Sequence, residues 1–159
     1  MTIRPYTPAD RAACLAIFES NMPRYFAPDE LPGFARWLDA QDAGRLAYAE
    51  SLAEPYFVVE VAGQVVACGG LGIYLKQPLL TMAWGMVRND LHHQGTGRAL
   101  LQHRLQFAAT HHPSYAVVLD TSQHTYPFFE KLGFQVTKVT PDGYGPGLHR
   151  YDMQRPAQR

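Results

Sequence analysis

The chain reads His92-His93-Gln94-Gly95-Thr96-Gly97-Arg98-Ala99-Leu100-Leu101 directly after an apolar run and directly before a helical pattern. Two glycines separated by a single residue at a strand-to-helix junction leave backbone N–H groups uncovered by side chains. Those donors stand at the positive end of the helix dipole, where an anion such as a phosphate is stabilised. The junction is therefore a candidate phosphate loop. It is not a P-loop, which carries Lys-Ser or Lys-Thr after its second glycine, because Arg98-Ala99 stands there. It is not a dinucleotide fingerprint either: Leu100 takes the place of the third glycine, and the first strand lies far upstream. On these residues alone, a glycine-rich turn without a ligand remains the alternative.

A second group of reactive side chains is Asp120 and His124, which flank Thr121-Ser122-Gln123. A carboxylate and an imidazole can each take a proton, and the ordinary histidine pKa of about 6.5 suits that task near neutrality. Asp120 reads equally as a cap for the turn behind it, and His124 as a helix N-terminal residue. The pairs His92-His93 and His111-His112 raise a metal reading. Adjacent histidines point in different directions and no carboxylate–histidine spacing accompanies them, so no metal site is expected.

These residues need elements to hold them. Residues 3–6 read as a short strand, and Pro8-Ala9-Asp10 starts a helix with Leu15, Ile17 and Phe18 inward. A second helix is predicted over residues 29–39, with Phe34, Trp37 and Leu38 at helical spacing and Pro32 in its first turn. Residues 40–54 carry a weak pattern, read as a further short helix. Strands follow at 56–61 and 64–73, as a hairpin around Ala62-Gly63, and at 79–87. A helix from 97 to about 110 places Leu100, Leu101, Leu105 and Phe107 at core spacing. A strand at 116–119, a helix at 124–132 and strands at 134–139 and 148–153 complete the pattern. Residues 141–147, rich in glycine and proline, read as a long loop.

Composition narrows the functional classes. A chain of 159 residues with 47% hydrophobic and 18% charged residues fits one globular domain, residues 1–159, with a full core. Fourteen basic and fourteen acidic residues cancel, which argues against nucleic acid as a partner. No apolar run reaches the length of a membrane helix, and no signal segment opens the chain. Cys14 and Cys68 read as buried thiols, which fits a cytoplasmic location.

Downstream of the glycine loop stands Phe129-Glu130-Lys131-Leu132-Gly133-Phe134, in which Gly133 suits a left-handed helix C-cap. The two segments, in this order and spacing, resemble two motifs of the GNAT family, the Gcn5-related N-acetyltransferases. One is the pyrophosphate loop Gln/Arg-x-x-Gly-x-Gly/Ala; the other is Tyr-Glu-Lys-Leu-Gly-Phe. The opening Ile3-Arg4-Pro5-Tyr6-Thr7-Pro8-Ala9-Asp10 is similar to the family's first strand and entry to helix one. The resemblance spans residues 2–154 and implies an α/β (α+β) GNAT fold. That fold has a central mixed, mostly antiparallel sheet of about seven strands with flanking helices. Its fourth and fifth strands, residues 79–87 and 116–119 here, splay apart.

The resemblance further implies an acyl-CoA-dependent N-acyltransferase that moves an acetyl group from acetyl-CoA (coenzyme A) to a primary amine. A small-molecule amine, acetylated by direct transfer in a ternary complex, is the leading expectation. A protein N-terminal or lysine acetyltransferase, and a non-catalytic acyl-CoA sensor, are the alternatives; a homodimer is compatible with the family. For the cofactor, the resemblance designates the backbone of Met86 and Val87 for the pantetheine arm. It assigns Gln94, Gly95, Thr96, Gly97 and Arg98 to the pyrophosphate, and counts His92, His93, Ser122, Phe128 and Phe129 among the other cofactor-binding residues. His92 replaces the family's Gln or Arg, and Phe129 replaces the tyrosine that protonates the leaving thiolate.

At pH 7 only about one in 2,500 lysine-like amines is neutral, so a base is wanted. The strand 79–87 offers no glutamate, which leaves Asp120 first and His124 second. Tyr126, one turn before Phe129, and Ser122 are substitutes for the missing acid. Protonating a thiolate of ordinary pKa at pH 7 is worth only about 2 kcal/mol, so solvent can also supply that proton. For the acceptor pocket the aromatic candidates are Tyr25, Phe26, Trp37, Tyr74, Trp84 and Tyr144.

Overall fold

A computed structural model describes residues 1–157. Chain order gives β1 (Thr2–Pro5), α1 (Arg11–Ser20), α2 (Leu31–Ala43), β2 (Ser51–Ala53), β3 (Tyr56–Val61), β4 (Gln64–Tyr74) and β5 (Leu79–Val87). Then follow α3 (Thr96–His111), β6 (Ala116–Thr121), α4 (Tyr126–Glu130), β7 (Gln135–Gly145) and β8 (Leu148–Arg155). One sheet runs β1-β3-β4-β5-β6-β8-β7, with β2 pairing β4 off that path. All pairs are antiparallel except β5–β6, which is parallel.

Local chemistry sets the helix ends. Asp10 accepts from the Thr7 amide at 2.9 Å, and Glu30 from the Ala27 amide at 2.8 Å, so a carboxylate closes the turn before α1 and before α2. Asp10 is gripped from behind by Arg4, at 2.8 and 2.9 Å. Helix α2 runs past the expected Asp39 to Ala43 and stops where Gly44 turns left-handed at φ 66°. Gly133 is also left-handed, at φ 93°.

The helices cover both faces of the sheet. Cys14, Ile17, Phe18, Phe34, Trp37 and Leu38 from α1 and α2 pack on Tyr56, Val58, Cys68, Ala83 and Met86. On the opposite face Leu101 and Ala108 of α3 meet Ile73, Leu80, Val117, Leu119, Phe134 and Met153. Leu100 packs there on Phe57, Val59, Val66 and Ala67. Side-chain alternation along each strand divides these two sets. Among the described residues no helix is long and apolar enough to cross a membrane.

Two expectations need correction. The segment 40–54 ends in strand β2 rather than in a short helix, with Ser51 opposite Tyr74 and Ala53 opposite Ile73. Residues 141–147 are not a long loop. Residues 141–145 continue β7 through an irregularity between Thr140 and Gly145, Gly145 faces Leu148, and only Pro146-Gly147 form the turn. Glycines made that stretch look like a loop. They serve instead to admit the backbone: a Cβ on Gly143 would stand 2.5 Å from Arg150 Cβ, and Asp142 takes a positive φ.

Candidate active site

The sheet is split in the middle. Leu79, Leu80 and Thr81 of β5 pair with Ala116, Val117 and Val118 of β6, and there the pairing stops. From Met82 onward β5 keeps β4 on one edge, as far as Val87 opposite Ala67, and leaves its other edge open. Midway along this free stretch the register slips between Cys68 and Gly70, and Trp84 takes a positive φ of 46°. Tyr56 Oη donates to the Trp84 carbonyl at 2.8 Å and holds the bulge. The split opens into a cleft of about 760 Å³.

At one end of the cleft stands the start of α3. Gly95 is its N-cap, at φ 87°, and no side chain caps the helix. A Cβ added to Gly95 would meet nothing within 4 Å, so the first amides of α3 open on free space. Gly97 fits closely, since its Cβ would touch Val87 Cγ2 at 3.4 Å. An uncapped helix N-terminus beside a strand edge with unused backbone donors fits a diphosphate joined to an amide-bearing arm. His92, His93, Gly95, Gly97 and Arg98 line the cleft with Met86 and Val87. Gln94 and Thr96 do not: Gln94 is exposed and Thr96 is buried under the helix start. The His92 ring turns back to the Val87 carbonyl at 3.0 Å, which also accepts from Asn21 at 2.9 Å.

The other end carries the titratable groups. Asp120, at the end of β6, accepts a short hydrogen bond from Tyr144 Oη of β7. Arg150 stands 3.7 Å from Asp120 and 3.0 Å from Asp152. Burial and the Asp120 charge keep the Tyr144 hydroxyl protonated, well above the usual phenol range. Glu30 lines the same end; burial, and then the Asp120 charge, raise its pKa above the ordinary carboxylate value. Desolvation first, and then the charge of Arg24, lowers the pKa of His124, so its imidazole is neutral at pH 7. The Tyr25 ring meets His92 at 4.9 Å and His124 at 5.9 Å, spanning from the glycine loop to the segment before α4.

Of the remaining aromatic candidates, Phe26, Trp37, Tyr74 and Trp84 also reach the cleft wall. Trp37 is only 1% exposed and packs edge-on against Tyr56, so most of its ring is core. Ser122, Phe128 and Phe129 line the cleft near α4. Tyr126 does not; its ring stacks on Tyr151 at 4.2 Å, and so it is not placed to protonate a leaving group in the cleft. Sequence reasoning missed Glu30, Arg150 and Arg104, all on the wall. Glu30 carried a signal in the Ala27-to-Glu30 turn, and Arg104 in being a charge on the apolar stripe of α3. Arg150 joins the site through the β7–β8 register, which its local sequence does not reveal.

Comparison with known proteins agrees with this geometry. The model of the acetyltransferase (GNAT) domain matches residues 52–136. No curated protein matches the chain. Among solved structures, the chain is similar to the ribosomal-protein-alanine N-acetyltransferase of Brucella melitensis, at 20% identity and TM-score 0.74. That likeness covers 98% of this chain and 99% of the other. It is similar to an acetyltransferase of Salmonella typhimurium solved with its cofactor acetyl-CoA, at 21% identity and TM-score 0.73, over 100% and 95% of the two chains. It is also similar to the IAA acetyltransferase of Bacillus cereus, at 14% identity and TM-score 0.70, over 98% of each chain. At these identities the structural likeness speaks for the fold.

Proposed function

The chain belongs to the GNAT acetyltransferase family and takes its acetyl group from acetyl-CoA, and we propose that it transfers that group directly to the primary amine of a small molecule. Family membership sets aside the sensor alternative. The observation that carries the choice of acceptor is the pair of tyrosines held on the cleft wall. Tyr25 reaches both His92 and His124, and Tyr144 is tied to Asp120. A cleft wall with two tyrosines so held suits a compact amine better than an extended peptide. An N-terminal or lysine acceptor is the second reading, favoured by likeness to a ribosomal-protein-alanine N-acetyltransferase.

In this reading the α3 amides and the free edge of β5 hold the donor with its thioester beside the Trp84–Gly85 bulge. The acceptor ammonium docks against the carboxylates of Asp120 and Glu30, at a site apolar enough to strengthen the attraction. Tyr144 stays protonated and fixes Asp120 by hydrogen bonding. His124, neutral at pH 7, takes the amine proton directly or through water. Making the amine neutral offsets about 5 kcal/mol of the barrier for an amine of ordinary pKa. The nitrogen attacks the acetyl carbon, the carbon–sulfur bond breaks, and the thiolate takes a proton from solvent, since Phe129 has none to give. The enzyme acts as a single domain in the cytoplasm, in keeping with two free, buried thiols.

The test is CoA release measured with acetyl-CoA against a panel of small amines and a panel of peptides with free N-termini and lysines. Turnover on small amines with none on peptides is the expected result. Turnover on peptides alone overturns the small-molecule assignment and leaves the family reading standing.

A further inference from the structure

Arg104 sits on the stripe of α3 that faces the sheet, with Leu100, Leu101 and Ala108. It is 4% exposed. Other buried charges in the chain are answered: Asp10 by Arg4 at 2.8 Å, and Glu54 by the amides of Ala47 and Tyr48 at 2.6 and 3.0 Å. The groups around Arg104 are the Tyr56 hydroxyl and the Cys68 thiol rather than a carboxylate. Its Nη1 donates weakly to the Gly70 carbonyl at 3.3 Å, and among the described residues Nε has no partner. Burial lowers its pKa to about 10, which leaves it charged at neutral pH. A buried guanidinium with unused donors is destabilising until something completes it.

The surrounding residues make room for this cation. A Cβ on Gly69 would stand 3.1 Å from Arg104 Cζ, and one on Gly85 would stand 2.8 Å from Nη2. Gly85 is exposed, and both Gly85 and Arg104 line the cleft. The guanidinium therefore lies against the β5 backbone at Gly85, on the α3 face. Alternation from Leu119, which packs on the α3 face, puts Asp120 on the opposite face, toward Glu30 and the acceptor. Arg104 thus borders the cleft from the α3 face, across the sheet from Asp120.

We infer that Arg104 reads the acyl group, and that the site accepts, beside acetyl-CoA, an acyl-CoA whose chain ends in a carboxylate. The planar fork of arginine matches a carboxylate in two parallel hydrogen bonds. A neutral chain of equal length leaves the fork unpaired and is rejected for that reason. Transfer balances as for acetyl: the amide bond forms at the acyl carbon and the carbon–sulfur bond breaks. The amine proton goes to the base and a solvent proton to the thiolate, while the distal carboxylate stays paired. The inference rests on the acetyl-CoA reading of the cleft.

Calorimetric titration of the full chain with acetyl-CoA, butyryl-CoA and succinyl-CoA tests it without knowledge of the acceptor. Butyryl and succinyl chains have the same carbon count and differ in the terminal carboxylate. Succinyl-CoA is expected to bind at least about tenfold more tightly than butyryl-CoA, and Arg104→Met to bring the two within about twofold of each other. Arg104→Lys, which keeps the charge and loses the fork, should fall between. Equal affinities in the wild-type protein, or a succinyl preference that survives in Arg104→Met, overturn the inference. The wild-type ratio alone decides whether the site prefers a carboxylate-ended chain; Arg104→Lys, which keeps the charge, tests the arginine if Arg104→Met does not fold. Absence of heat with acetyl-CoA would instead overturn the donor reading beneath it.

Discussion

Asp120 shows how a single side chain acquires a role from its neighbours. On its own it is an ordinary carboxylate at a strand end; the Tyr144 hydroxyl and the Arg150 guanidinium fix its two oxygens in the cleft. Asp120→Asn keeps the shape and removes the charge that draws the ammonium. Turnover on the accepted amine should fall at least about tenfold, with acetyl-CoA affinity unchanged by calorimetry; a near-normal rate would remove Asp120 from the reaction. Asp120 was legible in the sequence as a candidate because it closes a predicted strand. Its partners were not, because Tyr144 and Arg150 reach it only through the bulged pairing of β7 with β8. Arg104 was missed for a different reason: as a charge on the apolar stripe of α3 it carried a signal, but helical periodicity does not say what an inward charge meets.

In the proposed reading the donor is held by α3 together with the loop before it. Gly95 has a left-handed backbone and open space where a side chain would begin. Gly95→Val strains that backbone and covers the amides without crowding any protein atom. The acetyl-CoA dissociation constant should rise at least about tenfold, read by titration calorimetry, while Asp120→Asn leaves it in place. Strands β3 to β6 and helix α3 were legible because their apolar runs are long and bounded by glycine or proline. Strand β2 was not, because its three residues pair at the far end of β4 and carry no period of their own. The 141–147 stretch misled for the reason given by its glycines, which here admit a neighbouring strand.

Across the whole fold, stability should depend on pH through Asp10. Its hydrogen bonds from Arg4 hold its carboxyl below the ordinary value, despite burial. A depressed native pKa adds stability above the unfolded value of about 3.9, and that contribution is lost as the pH falls through the native one. Asp10→Asn should therefore cost about 3 kcal/mol at pH 7 by thermal or urea unfolding. The gap to wild type should begin to narrow near about pH 4 and vanish only below the depressed native pKa. A gap that stayed constant with pH would contradict the assignment.

The parting of β5 from β6 has a consequence for the protein between turnovers. Three residue pairs are all that stitch one half of the sheet to the other by backbone hydrogen bonds. In the proposed reading a pantetheine arm lies along β5 as a borrowed strand, which would make the donor a structural member of the sheet as well as a reagent. Binding energy adds to folding stability in proportion to the logarithm of donor over its dissociation constant. A cell short of acetyl-CoA would then hold this enzyme in its loosest form, and proteases would meet it first along that seam.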